Sequence, residues 1–415
     1  MSAKGRPERE RAPTRMGAQG RPASAAGAFA LAVALAVAAP FSAAQPVALD
    51  AAEKARILQH GPWPMPWSPD PSNRVSGKPA AIAFGERLFF DTRLSGNGLV
   101  SCAGCHRPKQ HWTDGHEKAI GHTGVDRNTP SVENLRHARW FGWDGAHDNL
   151  WSQSLRPLVD AREMNFSIAQ IAKVVRDEPA FACRYRAAFG TPVPADDEQV
   201  AVDAAKAMAA FQESIVTGRT PFDAFREALA RDDREAMARY PADALRGLRL
   251  FVGRAQCSIC HAGPAFTNGE FQDVGIAHFI RPGVVDSGRH GGIRKLKESP
   301  YNLLGRWSDD PARSTATGTR HVAAEHRNFG EFKVPGLRNV AETAPYMHDG
   351  SVRTLRDAVR HYSELDPDRV HADGGKLLQP LGLTDREIDD LVAFLRTLTE
   401  PPAPFQRRET TEPKC

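Results

Sequence analysis

Two five-residue stretches, "CAGCH" at 102–106 and "CSICH" at 257–261, restrict this chain more than any other feature. Both read C-x-x-C-H. Two thiols at that spacing can add to the vinyl groups of a haem, and the adjacent His supplies an axial nitrogen to iron. At this composition one chance copy has a probability of about 0.003, so a coincident pair is negligible. A zinc site would need about four ligands and would send His106 and His261 to distant partners. A thioredoxin-like redox pair has no use for a His after both copies. Two covalently bound haem c groups are expected, one on Cys102, Cys105 and His106 and one on Cys257, Cys260 and His261.

The surroundings repeat as well. "GERLFF" (85–90) precedes the first motif and "GLRLFV" (247–252) the second; "TDG" (113–115) and "TNG" (267–269) follow them. The motifs lie too far apart for a solenoid period, so two homologous haem domains are the simpler account. The expected fold is mainly α, two cytochrome c-like domains with long loops. In "TDREIDDLVAFLRTL", Thr384 and Glu387 stand at capping-box spacing, with Ile388, Leu391, Val392 and Leu395 on one face. "DEQVAVDAAKAMAAFQESIV" reads as a second helix running toward Thr217-Gly218. From about 219 to 243 the chain is charged and lacks apolar periodicity, which marks a boundary. The expected organisation is a leader over 1–44, a first haem domain over 45–235 and a second over 236–415.

The formal charge of +4 hints at basic partners and misleads, because residues 1–44 carry all of it, six Lys/Arg against two Asp/Glu. The remainder is formally neutral, so neither nucleic acid nor a membrane surface is expected as partner. That first segment reads as an export signal: basic residues from Lys4 to Arg21, a short Ala-rich apolar stretch, and Ser42 and Ala44 before a cut at Gln45. A periplasmic location is expected. Cys183 and Cys415 are left over as free thiols or a bridge, which their separation does not decide.

With both motifs placed, the sequence resembles the bacterial di-haem cytochrome c peroxidases and their MauG-like branch, which includes MbnH-like proteins, across nearly all of 78–400. The matching stretches are "RLSGNGLVSCAGCH", "RNTPSVEN", "WDG" (143–145), "PLVDAREM", "FKVPGLRNVAETAPYMHDG" and "LVAFLRTLT". The resemblance implies that the first haem keeps an open or displaceable face for peroxide, served by a Glu six positions after a Pro. Pro157 and Glu163 hold that spacing. Alone, Glu163 would read as a surface carboxylate; beside peroxide it could take a proton from one oxygen and return it to the other. Trp143 matches the family's tryptophan between the haems, an electron relay, though a buried aromatic would look the same. His122 in "AIGHTG" sits where peroxidases carry a resting-state ligand of the first haem; a solvated loop histidine fits equally. The resemblance also implies a calcium ion near the domain interface, on Asn128, Thr343 and Pro345, whose oxygens suit a hard cation.

"PYMHDGSVRTLRDAVRHY" (345–362) offers Met347, His348, His361 and Tyr362 as further ligands. In the peroxidases a Met fourteen residues after the His of "HDG" binds the second iron, and from His348 that position is Tyr362. Thr354 can cap a helix here, with Leu355, Val359 and Tyr362 on one inward face and His361 turned about 100° away. Methionine ligation raises a haem's potential, whereas a phenolate oxygen favours the higher oxidation states. The resemblance thus implies a peroxide-driven oxidoreductase that forms a high-valent di-haem state and oxidises a Trp or Tyr of a partner protein. The alternative is a plain cytochrome c peroxidase taking electrons from a small cytochrome or cupredoxin. Trp112, Trp140, Trp151 and Trp307 are candidates for an exit route, or core residues.

Overall fold

Helices dominate the computed structural model, which describes residues 49–276, 279–370, 377–402 and 405. The leader expected over 1–44 lies outside the described residues, as does Cys415; Cys183 is disulfide-bonded. The first half carries α1 (Ala51–Leu58), α2 (Pro79–Phe89), α3 (Cys102–Cys105), α4 (Leu150–Val159), α5 (Ile168–Asp177), α6 (Pro179–Phe189) and α7 (Asp197–Glu213). The second carries α8 (Pro221–Ala230), α9 (Arg234–Ala238), α10 (Ala242–Val252), α11 (Arg289–Glu298), α12 (Thr317–His321), α13 (Leu355–Ser363) and α14 (Asp385–Arg396). Two antiparallel pairs, β1 (Phe271–Gln272) with β4 (Phe332–Lys333) and β2 (Phe279–Arg281) with β3 (Val284–Val285), are the described strands. No described helix is long and apolar enough to cross a membrane.

The helix predicted over 384–398 starts as its spacing requires, with the capping box of Thr384 and Glu387 closed in both directions. Helix α7 is buried all round from Val200 to Glu213, so it shows no single apolar face and forms the axis of the first core. The charged stretch after 219 folds rather than linking. Thr220 caps α8, and Phe222, Phe225 and Leu229 enter the second core. Three apolar residues on one stripe suffice for a short helix, and the charges around them mask the period. Ile57 of α1 joins this second core too, although it belongs to the chain's other end.

The repeated "GxRLF" has a packing cause. A Cβ on Gly85 would lie 1.9 Å from the Ala207 carbonyl of α7, and one on Gly247 would lie 1.9 Å from the Asp390 carbonyl of α14. Each half thus crosses two helices at a glycine, α2 on α7 and α10 on α14. Gly247→Ala is expected to destabilise by at least the roughly 1–3 kcal/mol of an overpacked core. Thermal unfolding checks this, and an unchanged melting temperature would show that the crossing can open.

A second repeat spans equal intervals. Asn134 and Asn339 have φ of 62° and 60°, and their N–H groups reach Ile215 and Leu398 carbonyls at 2.8 and 3.0 Å. Phe141 bridges to His147 as Tyr346 does to Val352, and Asn149 caps α4 as Thr354 caps α13. Asn134 and Asn339, Phe141 and Tyr346, His147 and Val352, and Asn149 and Thr354 are each separated by the same 205 positions. Between β1 and β4 the second half carries an excursion that returns to the first. The buried Lys206 ammonium donates to the Trp307 carbonyl at 2.7 Å and pairs with Asp309 at 2.6 Å.

Candidate functional site

A cavity of about 1850 Å³ passes both C-x-x-C-H motifs. Pockets for one small ligand run to roughly 300–1,000 Å³, so this one has room for two large groups. Its wall includes Cys102, Cys105, His106, Cys257, Cys260 and His261.

The two histidines are held alike. Nδ1 of His106 lies 3.1 Å from the Trp112 carbonyl, and Nδ1 of His261 lies 3.0 Å from the Phe266 carbonyl. Each acceptor has left-handed φ, 61° at Trp112 and 54° at Phe266, which turns its carbonyl back toward the motif. That bond puts the proton on Nδ1 and leaves Nε2 as the donor to a metal. Burial lowers the pKa of both imidazoles, which keeps them neutral and able to ligate. The Thr residues of "TDG" and "TNG" follow these aromatics directly, so the repeat seen in the sequence marks the acceptor loop of each histidine.

Pro157, inside α4, and Glu163 are both on the cavity wall. Arg156 pairs with Glu163 at 2.6 Å and with Asp160 at 2.9 Å, and the Glu163 charge is felt at His106. Across the second motif stands Tyr362, on the cavity wall with Leu355 and Val359 of α13. Burial raises its hydroxyl pKa, and the neighbouring Cys257 and Cys260 add to the rise. Among the described residues no hydrogen-bond partner meets that hydroxyl. The other three side chains of the segment behave differently. His361 Nε2 is spent on the Val274 carbonyl at 2.7 Å. His348 stacks on Phe332 with ring centroids 3.4 Å apart. Met347 has φ of 72° at the turn and also lines the cavity. The 205-residue repeat pairs Tyr362 with Pro157, so the position that carries a phenol on the cavity wall in the second half carries an imino acid there in the first.

Trp143 also lines the cavity, its indole donating to the Asn128 carbonyl at 2.9 Å. Asn128, Thr343 and Pro345 all reach the cavity wall. The Asn128 amide nitrogen donates to the His116 carbonyl at 2.8 Å, which turns Oδ1 the other way. Among the described residues no donor meets that oxygen or the carbonyls of Thr343 and Pro345. His122 is exposed and off the cavity wall; its backbone N–H donates to the Glu163 carbonyl at 2.6 Å. Trp112, Trp140, Trp151 and Trp307 are buried core residues, of which Trp140 alone lines the cavity.

Sequence reasoning missed the residues that support the second motif from behind. Arg338, buried and paired with Asp223 at 2.8 Å, donates to the Pro264 carbonyl at 2.8 Å. His60 lies 3.1 Å from the Gly263 carbonyl. The 205-residue repeat is visible as "WDG" and "HDG" with a capping residue six positions after Trp143 and His348, but nothing in the sequence points to His60.

Two attachment motifs, each with a neutral proximal imidazole facing one shared cavity, define a di-haem protein of the c type. Residues 79–231 match the di-haem cytochrome c peroxidase family. The methylamine utilization protein MauG of Methylorubrum extorquens is 35% identical over 327 residues, 78% of this chain and 80% of its own length. The cytochrome-c peroxidase IdrP1 of Denitromonas iodatirespirans is 31% identical over 391 residues, covering 89% of this chain and 93% of its own length. Among solved structures, a MauG-like protein associated with microbial copper homeostasis is similar, with a TM-score of 0.61 and 27% identity over 82% of this chain and 95% of its own. The chain belongs to the di-haem cytochrome c peroxidase family and is a peroxidase-type oxidoreductase with two haem c groups.

Proposed function

We propose that this chain uses hydrogen peroxide to oxidise a Trp or Tyr residue of a periplasmic partner protein by long-range electron transfer. The two haems, when bound, supply peroxide activation and a store for its two oxidising equivalents. Cys102, Cys105 and His106 hold the first, in the 45–235 half, and Cys257, Cys260 and His261 the second, in the 236–415 half. Tyr362 would supply an oxygen donor to the second haem, and His261 a nitrogen. The observation that carries this reading is the Tyr362 hydroxyl, which has no partner in the described chain and lies on the cavity wall beside Cys257 and Cys260. A phenol so placed stays neutral until a cation stands opposite it, and a cation inverts the local pKa logic.

At the first site Glu163 takes the proton from one peroxide oxygen and returns it to the other. Arg156 fixes that carboxylate at 2.6 Å. Pro157 has no donor atom to offer the iron and would leave that side free for peroxide. Trp143, anchored by its indole N–H, relays electrons between the halves. Each peroxide removes two electrons and two protons from the partner and leaves as two waters. The Asn128, Thr343 and Pro345 oxygens form a calcium site of the hard-oxygen kind. His122, as a resting-state ligand, would have to swing inward from the surface. The basic leader over 1–44 supports export.

The relative named as a cytochrome-c peroxidase favours a second reading, in which a small cytochrome or cupredoxin donates the electrons. Incubating the loaded enzyme with peroxide and the protein encoded by a neighbouring gene separates the two. Mass spectrometry should find a Trp or Tyr of that protein lighter by two hydrogens or heavier by oxygen. Rapid oxidation of a reduced cytochrome without such a product would favour the peroxidase. Pro157→Met places a thioether at the position matching Tyr362 and is expected to abolish cyanide binding at the first haem. Undiminished binding would show that residue 157 does not face that iron.

A further inference from the structure

The loop 261–266 joins His261 to the carbonyl that orients it, and a residue from far outside the motif grips that loop. His60 follows α1, is 2% exposed, and lies 3.1 Å through Nδ1 from the Gly263 carbonyl. Its ring stacks on Phe266 at 4.7 Å with 13° between the planes, and meets Phe251 and Phe222 edge-on. Phe266 is a bulky residue at φ 54°, a conformation that persists only when its surroundings hold it. The next carbonyl, Pro264, is held by Arg338. The first half lacks this arrangement. Its equivalent aromatic, Trp112, packs edge-on against Phe89 and Phe211, and among the described residues no imidazole stacks on it.

We infer that His60 is a positioning residue for the second haem, fixing the 261–266 loop so that the Phe266 carbonyl stays on Nδ1 of His261. This rests on the reading of His261 as an axial ligand. The bond from Nδ1–H to a carbonyl makes an imidazole a stronger electron donor through Nε2. A carbonyl held more firmly at the second site than at the first favours the oxidised states of the second iron. One chain-terminal segment thereby biases one haem of the pair and leaves the other alone.

The test uses the full-length holoprotein with His60→Leu and His60→Asn. Leucine fills the space without a donor, whereas the asparagine amide can still reach the Gly263 carbonyl. In His60→Leu the midpoint potential of the second haem should rise, with a three- to tenfold change in its Fe(III)/Fe(II) ratio, where tenfold is about 59 mV. The imidazole nitrogen couplings of its low-spin ferric signal should change, with the first haem as an unmoved internal reference. His60→Asn should stay close to wild type. Potentials and couplings unchanged in His60→Leu would overturn the inference, as would an equal shift in both variants, which would assign the effect to lost ring packing. Should His60→Leu fail to load haem, a shift in the better-folded His60→Asn counts against the inference and wild-type behaviour supports it. A wild-type second haem without imidazole couplings would instead overturn the His261 ligand reading itself.

Discussion

Replacing Tyr362 with Met should move the second haem's midpoint potential upward by a large part of the roughly 0.8 V that axial ligands span. The substitution removes the Tyr362 hydroxyl from the cavity wall. A neutral thioether takes its place, and thioethers favour the reduced metal. The packing should tolerate the change, because an unbranched methionine fills the volume left by a ring between Leu355 and Val359. Oxidation of a partner's Trp or Tyr should be lost, while turnover of peroxide with a small reduced cytochrome should persist or improve. A spectroelectrochemical titration reads the first outcome and product mass spectrometry the second. A potential that does not move would mean that residue 362 is not a ligand, and the partner-oxidation reading would lose its support.

Glu163→Gln should slow the reaction with peroxide by roughly 10²–10⁴-fold, the usual worth of a positioned acid–base group. Glutamine keeps the shape but neither accepts nor returns a proton. It also breaks the charge pairing with Arg156, whose other partner, Asp160, lies 2.9 Å away and remains. Both residues are partly exposed, so little stability should be lost with the pair. Stopped-flow mixing with peroxide measures the rate, and melting temperature and haem content serve as controls. A rate within about threefold of wild type would return Glu163 to the surface carboxylate it resembles in sequence.

Several parts of the site are legible in the residues themselves. The C-x-x-C-H spacing is dictated by covalent chemistry, so it survives in one dimension. The cap of α14 and the inward stripe of α13 are also local, since a helix brings i, i+3, i+4 and i+7 together without help from the rest of the fold. The helix over 221–230 is not legible in this way, because its buried Phe222, Phe225, Ala228 and Leu229 stand among charges that sequence alone cannot assign to solvent. Exposure of His122, burial of Asp223 with Arg338, and the grip of His60 on Gly263 all depend on what packs against a residue from elsewhere.

The sequence by itself determined the number of haems, the identity of their attachment residues and the mainly helical class, because each follows from bonds or turns between near neighbours. It also held the 205-residue repeat that sets Pro157 against Tyr362. Only the tertiary structure decided that both motifs open on one cavity, that His361 is occupied while the hydroxyl beside it meets no partner among the described residues, and that residue 60 reaches the second motif. Those facts require segments hundreds of positions apart to meet, and the burial that brings them together is a property of the whole fold.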